Sequence, residues 1–101
     1  MLSEFSMIPI GSGSSIGDRL AEVLRVVDAS GVPYKVNPMG TVIEGEWDDL
    51  FKLIKKCHKT MMKKEERVLT SISIDDRKGR PGRLEQKVKS IEKRLGKSLK
   101  K

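Results

Sequence analysis

Three observations in this 101-residue sequence predict an α+β fold of the ferredoxin-like kind, β-α-β-β-α-β, with a four-stranded antiparallel sheet and an extra C-terminal helix. Apolar and polar residues alternate in two separated runs, residues 2–10 and 68–75, which is the period of half-buried strands. Two other runs repeat apolar residues every three or four positions, the period of amphipathic helices. Between those helices, two short apolar runs flank Pro38, Met39 and Gly40, a combination suited to a hairpin turn. With both crossovers on one face, this order is the split βαβ unit. A chain of this length is expected to form one domain, residues 1–101, with residues 83–101 as a C-terminal helix and basic tail.

Taken in order, the first strand places Phe5 and Met7 on one side and Glu4 and Ser6 on the other. GSGSS follows, where Ser14 or Ser15 can cap a helix beginning near Ile16, and Asp18 suits the positive helix start. Ile16, Leu20, Val23, Leu24 and Val27 form its apolar stripe. Gly31 offers a left-handed C-terminal cap and Pro33 blocks continuation, so this helix ends near Ala29 or Ser30. Residues 34–37 and 41–45 make the hairpin strands. Trp47, Leu50, Ile54, Cys57 and Met61 mark the second helix, expected to reach Lys64, with Trp47 as the first residue of the core stripe. In residues 68–75, Ile72 and Ile74 point inward and Ser71 and Ser73 outward. DRKGRPGR is a basic turn, and Leu84, Val88, Ile91 and Leu95 mark the last helix.

One sheet face packs on two helices in this topology, and the other is left open. Ser6, Asn37, Glu44, Ser71 and Ser73 are expected on that open face with Val42, Ile8 and Ile10, a mixed surface fit for self-association. Glu44 is conspicuous in a short apolar strand. A carboxylate desolvated in an interface needs a donor or a cation, so Glu44 is either held for a ligand with donor groups or pairs with Lys35 in solvent.

The formal charge of +7 favours polyanions, but the excess sits entirely in the second half. Lys52, Lys55, Lys56, Lys59, Lys63 and Lys64 recur along one helix, which reads first as a solvated face and second as a nucleic-acid or polyanion surface. The RNA-recognition version of this topology stacks bases on aromatics of the central strands. Here the third strand has none, and Phe5 points inward. GSGSSIG lacks the Lys-Ser/Thr that completes a P-loop. Cys57 lies on an apolar stripe and His58, its neighbour, points about 100° away toward the surface, so they form no catalytic pair. No metal-ligand cluster is present. Neither a leader nor a spanning segment is evident, and the single cysteine suits a reducing cytoplasm.

PIGSGSS, YKVNPMGTVIEGEWDDL and RVLTSISIDDR together resemble the small thiamine-binding-protein-like family, the YkoF-related proteins in their single-unit form. The resemblance spans residues 2 to about 95. It implies a ferredoxin-like fold assembled as a homodimer or homotetramer, binding thiamine or its hydroxymethylpyrimidine half, with no catalysis and no cofactor. Matching its motif implies a ligand site around Met39, Gly40, Thr41 and Glu44, with Asn37, Ser6 and Ser14 as further candidates. An aminopyrimidine presents an amino donor and ring nitrogens. A carboxylate and the polar groups of Thr41 and Asn37 can meet these, while Met39 or Trp47 can contact the ring.

Overall fold

The structure, a computed structural model, describes residues 1–11, 16–78 and 83–99. Its elements follow the predicted order: β1 (Leu2–Pro9), α1 (Ile16–Ala29), β2 (Tyr34–Asn37), β3 (Gly40–Glu44), α2 (Trp47–Met62), β4 (Val68–Asp75) and α3 (Arg83–Leu95). The four strands form one antiparallel sheet in the order β2-β3-β1-β4. α2 ends two residues before the expected Lys64, with Lys63 N–H still donating to Lys59 O at 3.2 Å.

Alternation along the strands sorts the core. Phe5 and Met7 of β1 and Ile43 of β3 point to the face covered by α1 and α2. There they meet Val23 and Val27 of α1 and Leu50, Leu53, Ile54, Cys57 and Met61 of α2. Burying a side chain of this kind contributes about 1.5–3 kcal/mol. α1 ends where expected: Ser30 N–H and Oγ both reach Val27 O, and Gly31 turns the chain away at φ +78°. Ser3, also on this face, is fully buried with its hydroxyl unpaired.

Three sequence expectations change. Trp47 is 53% exposed and lies against Phe51, ring centroids 4.7 Å apart, instead of joining the core. His58 is half-buried, sharing a 2.7 Å hydrogen bond between its Nδ1 and Thr70 Oγ1 that pins α2 to β4. The second sheet face is only partly open. α3 packs against β3, an inner strand, and Leu2, which alternates with Phe5 and so faces away from α1 and α2, is only 7% exposed. α3 therefore lies over that face at its Leu2–Glu44 end. Leu84 and Val88 of α3 are half-buried, while Ile91 and Leu95 stay exposed.

Charge pairs tie α1 to the loop after α2. Arg19 Nε donates to Glu65 Oε1 at 2.8 Å, and Lys64 Nζ to Glu22 Oε1 at 2.8 Å. The Lys64 ammonium, and secondarily Arg19 and Arg25, hold the half-buried Glu22 carboxyl below its ordinary value. The Glu65 side chain is 7% exposed, so losing its guanidinium partner leaves a desolvated carboxylate. Arg19→Ala is expected to lower unfolding free energy by about 1–3 kcal/mol, read by chemical denaturation.

Candidate functional site

Strand lengths are unequal around β1, and that inequality makes a cleft. On one side β1 pairs with β4 along its whole length, from Leu2↔Asp75 to Pro9↔Val68. On the other it pairs with β3 only from Leu2↔Glu44 to Phe5↔Thr41. Beyond Phe5 the β2–β3 hairpin has already turned, with Pro38 and Met39 as its tip between Asn37 and Gly40. Neither tip residue has a positive φ, so the turn is not of the primed types that follow sheet twist closely. The gap between β1, the hairpin tip and α1 is a cleft of about 280 Å³.

Register fixes the polar groups there. Met1 O accepts from Gly45 N–H at 3.1 Å toward β3, and Ile10 N–H donates to Arg67 O at 2.9 Å toward β4. Backbone groups alternate sides along a strand, so odd-numbered residues of β1 direct N–H and C=O toward β3. Phe5 O, lying 3.0 Å from where a Cβ on Gly40 would stand, agrees. Met7 thus aims a donor and an acceptor past the end of β3, into the cleft. Leu20, Val23 and Leu24 of α1 and Val36 of β2 supply its apolar wall.

Five of the seven residues singled out by sequence line this cleft: Ser6, Asn37, Met39, Gly40 and Thr41. Asn37 and Met39 are exposed, Met39 at 85%. Ser6 and Gly40 are half-buried. Thr41 points to the helix face and is buried at 7%. Gly40 allows close approach: an added Cβ would press on Phe5 O at 3.0 Å and Glu4 Cγ at 3.3 Å.

Glu44 is not brought to this cleft. It stands four positions beyond Gly40 along β3, about 13 Å at strand rise. It lies instead beside a second, larger cleft of about 480 Å³ with Gly45, Asp49, Lys52 and Lys56. It does point away from the helix layer, paired with Leu2, and takes part in an interaction of its own. Lys35 stands opposite Val42, two residues from Glu44 on the same face. Ser14 lies outside the described residues, as does the rest of the loop 12–15. The carboxylate that does stand beside the cleft is Glu4, opposite Val42 and Ser73, with its side chain over Gly40. Only the pairing register reveals it, because residues 4 and 40 are far apart in sequence.

No chemistry-bearing cluster competes with this site. Among the described residues no group of His, Cys, Asp and Glu could hold a metal, and no helix is long and apolar enough to cross a membrane. Cys57 is fully buried, its Sγ 4.0 Å from Val23 O, and burial pushes its thiol up to about 11. About one thiolate in a thousand is then present at pH 8. Cys57 is expected to resist a disulfide reagent at pH 8 in the native protein and to react fully once unfolded, as followed by absorbance. Its raised value also favours the folded state below pH 9, an advantage lost as pH rises through about 11.

The profile of the thiamine-binding protein family matches residues 3–92. The UPF0045 protein MJ1052 of Methanocaldococcus jannaschii is 34% identical over 91 residues, 90% of this chain and 91% of that one. The UPF0045 protein YqgV of Bacillus subtilis is 37% identical over 100 residues, 93% of this chain and 96% of that one. The crystal structure of MJ1052 superposes with a TM-score of 0.82 over 89% of this chain and 93% of that one. A Thermotoga maritima protein provisionally assigned to thiamine biosynthesis or salvage has a TM-score of 0.80 at 19% identity, over 89% of this chain and 96% of that one. At that identity the likeness speaks for the fold.

Proposed function

Because this chain belongs to the thiamine-binding protein family, we propose that it is a non-enzymatic, cytoplasmic binder of thiamine or its hydroxymethylpyrimidine half, acting as a homodimer or homotetramer. The observation that carries this reading is the cleft between β1, α1 and the hairpin, which gathers five of the seven candidate residues around the stretch of β1 that β3 does not reach. A flat heteroaromatic ring with adjacent donor and acceptor atoms matches that edge. The N–H of Met7 meets a ring nitrogen, its C=O an exocyclic amine, and Asn37 can serve either.

The apolar wall from α1 and Val36 fits the ring faces, and Met39 at the tip can fold over them. Glu4 supplies negative charge beside the mouth, which favours a cationic thiazolium. At about 280 Å³ the space suits a single small ring better than a large ligand. Polyanion binding has less support. Phe5 is in the core, so the central strands present no aromatic platform, and Lys64 is already paired with Glu22.

Titration calorimetry with thiamine and with hydroxymethylpyrimidine tests the reading. Both are expected to bind. Asn37→Ala weakens both by roughly 2–10-fold, the range of one hydrogen bond. Glu4→Gln weakens thiamine selectively, and Glu44→Gln changes neither. Absence of heat with both ligands, or a loss confined to Glu44→Gln, would overturn the assignment.

A further inference from the structure

The larger cleft, of about 480 Å³, is walled by charge. It lies at the end of the sheet opposite the hairpin, between the loop 30–33 after α1, the end of β3 and the first half of α2. Three bonds fix that loop: Ser30 Oγ donates to Val27 O at 2.6 Å, Val32 N–H donates to Ser30 Oγ at 3.1 Å, and Glu44 N–H donates to Pro33 O at 3.0 Å. On α2, Asp49, Lys52 and Lys56 fall within about 60° of one another at 100° per residue. All three line the cleft, beside the buried Leu53.

At the far end of the helix pair, Arg19, Glu22, Lys64 and Glu65 are joined by contacts of 2.8–3.4 Å. There the start of α1 meets the end of α2, so the helices run in opposite directions and α2 begins beside the end of α1. The charges at this second junction are not matched in the same way. Asp49, Lys52 and Lys56 form no ion pair among the described residues, although Asp49 and Lys52 have the spacing that permits one. The last turn of α1 holds no basic residue, so the negative end of its dipole meets no cation of its own helix. Glu44 also lines the cleft, with an interaction of its own. The cleft thus has an anionic end, Asp49 with the terminus of α1, and a cationic wall, Lys52 with Lys56.

We propose that this cleft is a second binding site, for a small zwitterion of dipeptide length. The ligand's ammonium sits at Asp49 and the carbonyl end of α1, and its carboxylate between Lys52 and Lys56. The length follows from the helix. Lys52 and Lys56 lie about 4.5 and 10.5 Å beyond Asp49 along the axis of α2, so the middle of the lysine pair is about 7.5 Å away. Two residues of extended chain span about 7 Å, whereas a single amino acid carries its charges too close together to reach both ends. Leu53, Val32 and the lysine stems give the ligand's side chains apolar contact. Thiamine, a cation with no anionic group, has nothing to offer Lys52 and Lys56. The site is therefore separate from the hairpin cleft, about the length of β3 away, and stands whether or not the ligand assigned there does.

Amide-resolved NMR with alanylalanine reads this site. Saturable shifts are expected at Gly31, Val32, Gly45, Lys52 and Lys56, with Met7 and Asn37 unmoved. N-acetyl-alanylalanine, which lacks the ammonium, alanylalanine amide, which lacks the carboxylate, and alanine, which is too short, should each bind at least about 5-fold more weakly. Lys52→Gln, Lys56→Gln and Asp49→Asn, all at exposed positions, should each weaken alanylalanine by roughly 2–5-fold, the worth of an exposed ion pair. Lys55→Gln, about 100° around the helix from Lys56, should leave it unchanged. Several results would overturn the proposal: no saturable shift with alanylalanine, shifts centred on Met7, capped peptides or alanine binding as tightly as the free dipeptide, or the three variants binding like the wild type. Thiamine added to the same sample reports the hairpin cleft through other amides, so failure of either assignment is seen separately.

Discussion

The pairing of β1 governs the rest of this molecule. β1 is held by β4 along eight residues and by β3 along only four, whereas β3 pairs over four residues on each side. The long side makes a rigid, fully bonded floor. The short side directs the Met7 peptide group past the end of β3, where no partner stands among the described residues, an arrangement suited to water or a ligand. One strand thus supplies both the stability and the open position.

Core packing explains why the hairpin cannot close the gap. Ile43 and Thr41 are held against α1 and α2 by burial, so β3 is locked to the Leu2–Phe5 half of β1. Gly40 then crosses close over Phe5 O, and the chain turns at Pro38–Met39 with the Met39 side chain in solvent. Lengthening the pairing would require β3 to slide by two residues, because a slide of one reverses every side chain. The cleft is therefore a consequence of a register that the core enforces.

Much of this was legible in the sequence, and the omissions have physical causes. Periodicity locates five of the seven elements, β1, α1, α2, β4 and α3, because a half-buried strand and an amphipathic helix impose their periods on apolar residues. The turn chemistry of Pro38 and Gly40 located the hairpin, and five candidate residues fell near it. Periodicity does not say how far two strands pair. Hence the sequence groups Glu44 with Asn37 although β3 carries it to the opposite end, and nothing local in it links Glu4 to Gly40, over which its side chain lies. Trp47 sits at the margin of the core stripe of α2, about 60° from its centre, and there the sheet edge decides exposure. The covering of Leu2 by α3 depends on where a helix returns after β4, which no local pattern encodes.

The most direct test of the central claim, that the Met7 peptide beyond the end of β3 is where a small ligand is recognised, is an amide-resolved NMR titration with thiamine. The account predicts that the Met7 amide moves downfield with saturation, together with Asn37, Gly40 and Thr41, while Gly45, Lys52 and Lys56 stay in place. Saturable shifts centred on Gly45 to Lys56, with Met7 unmoved, would contradict it.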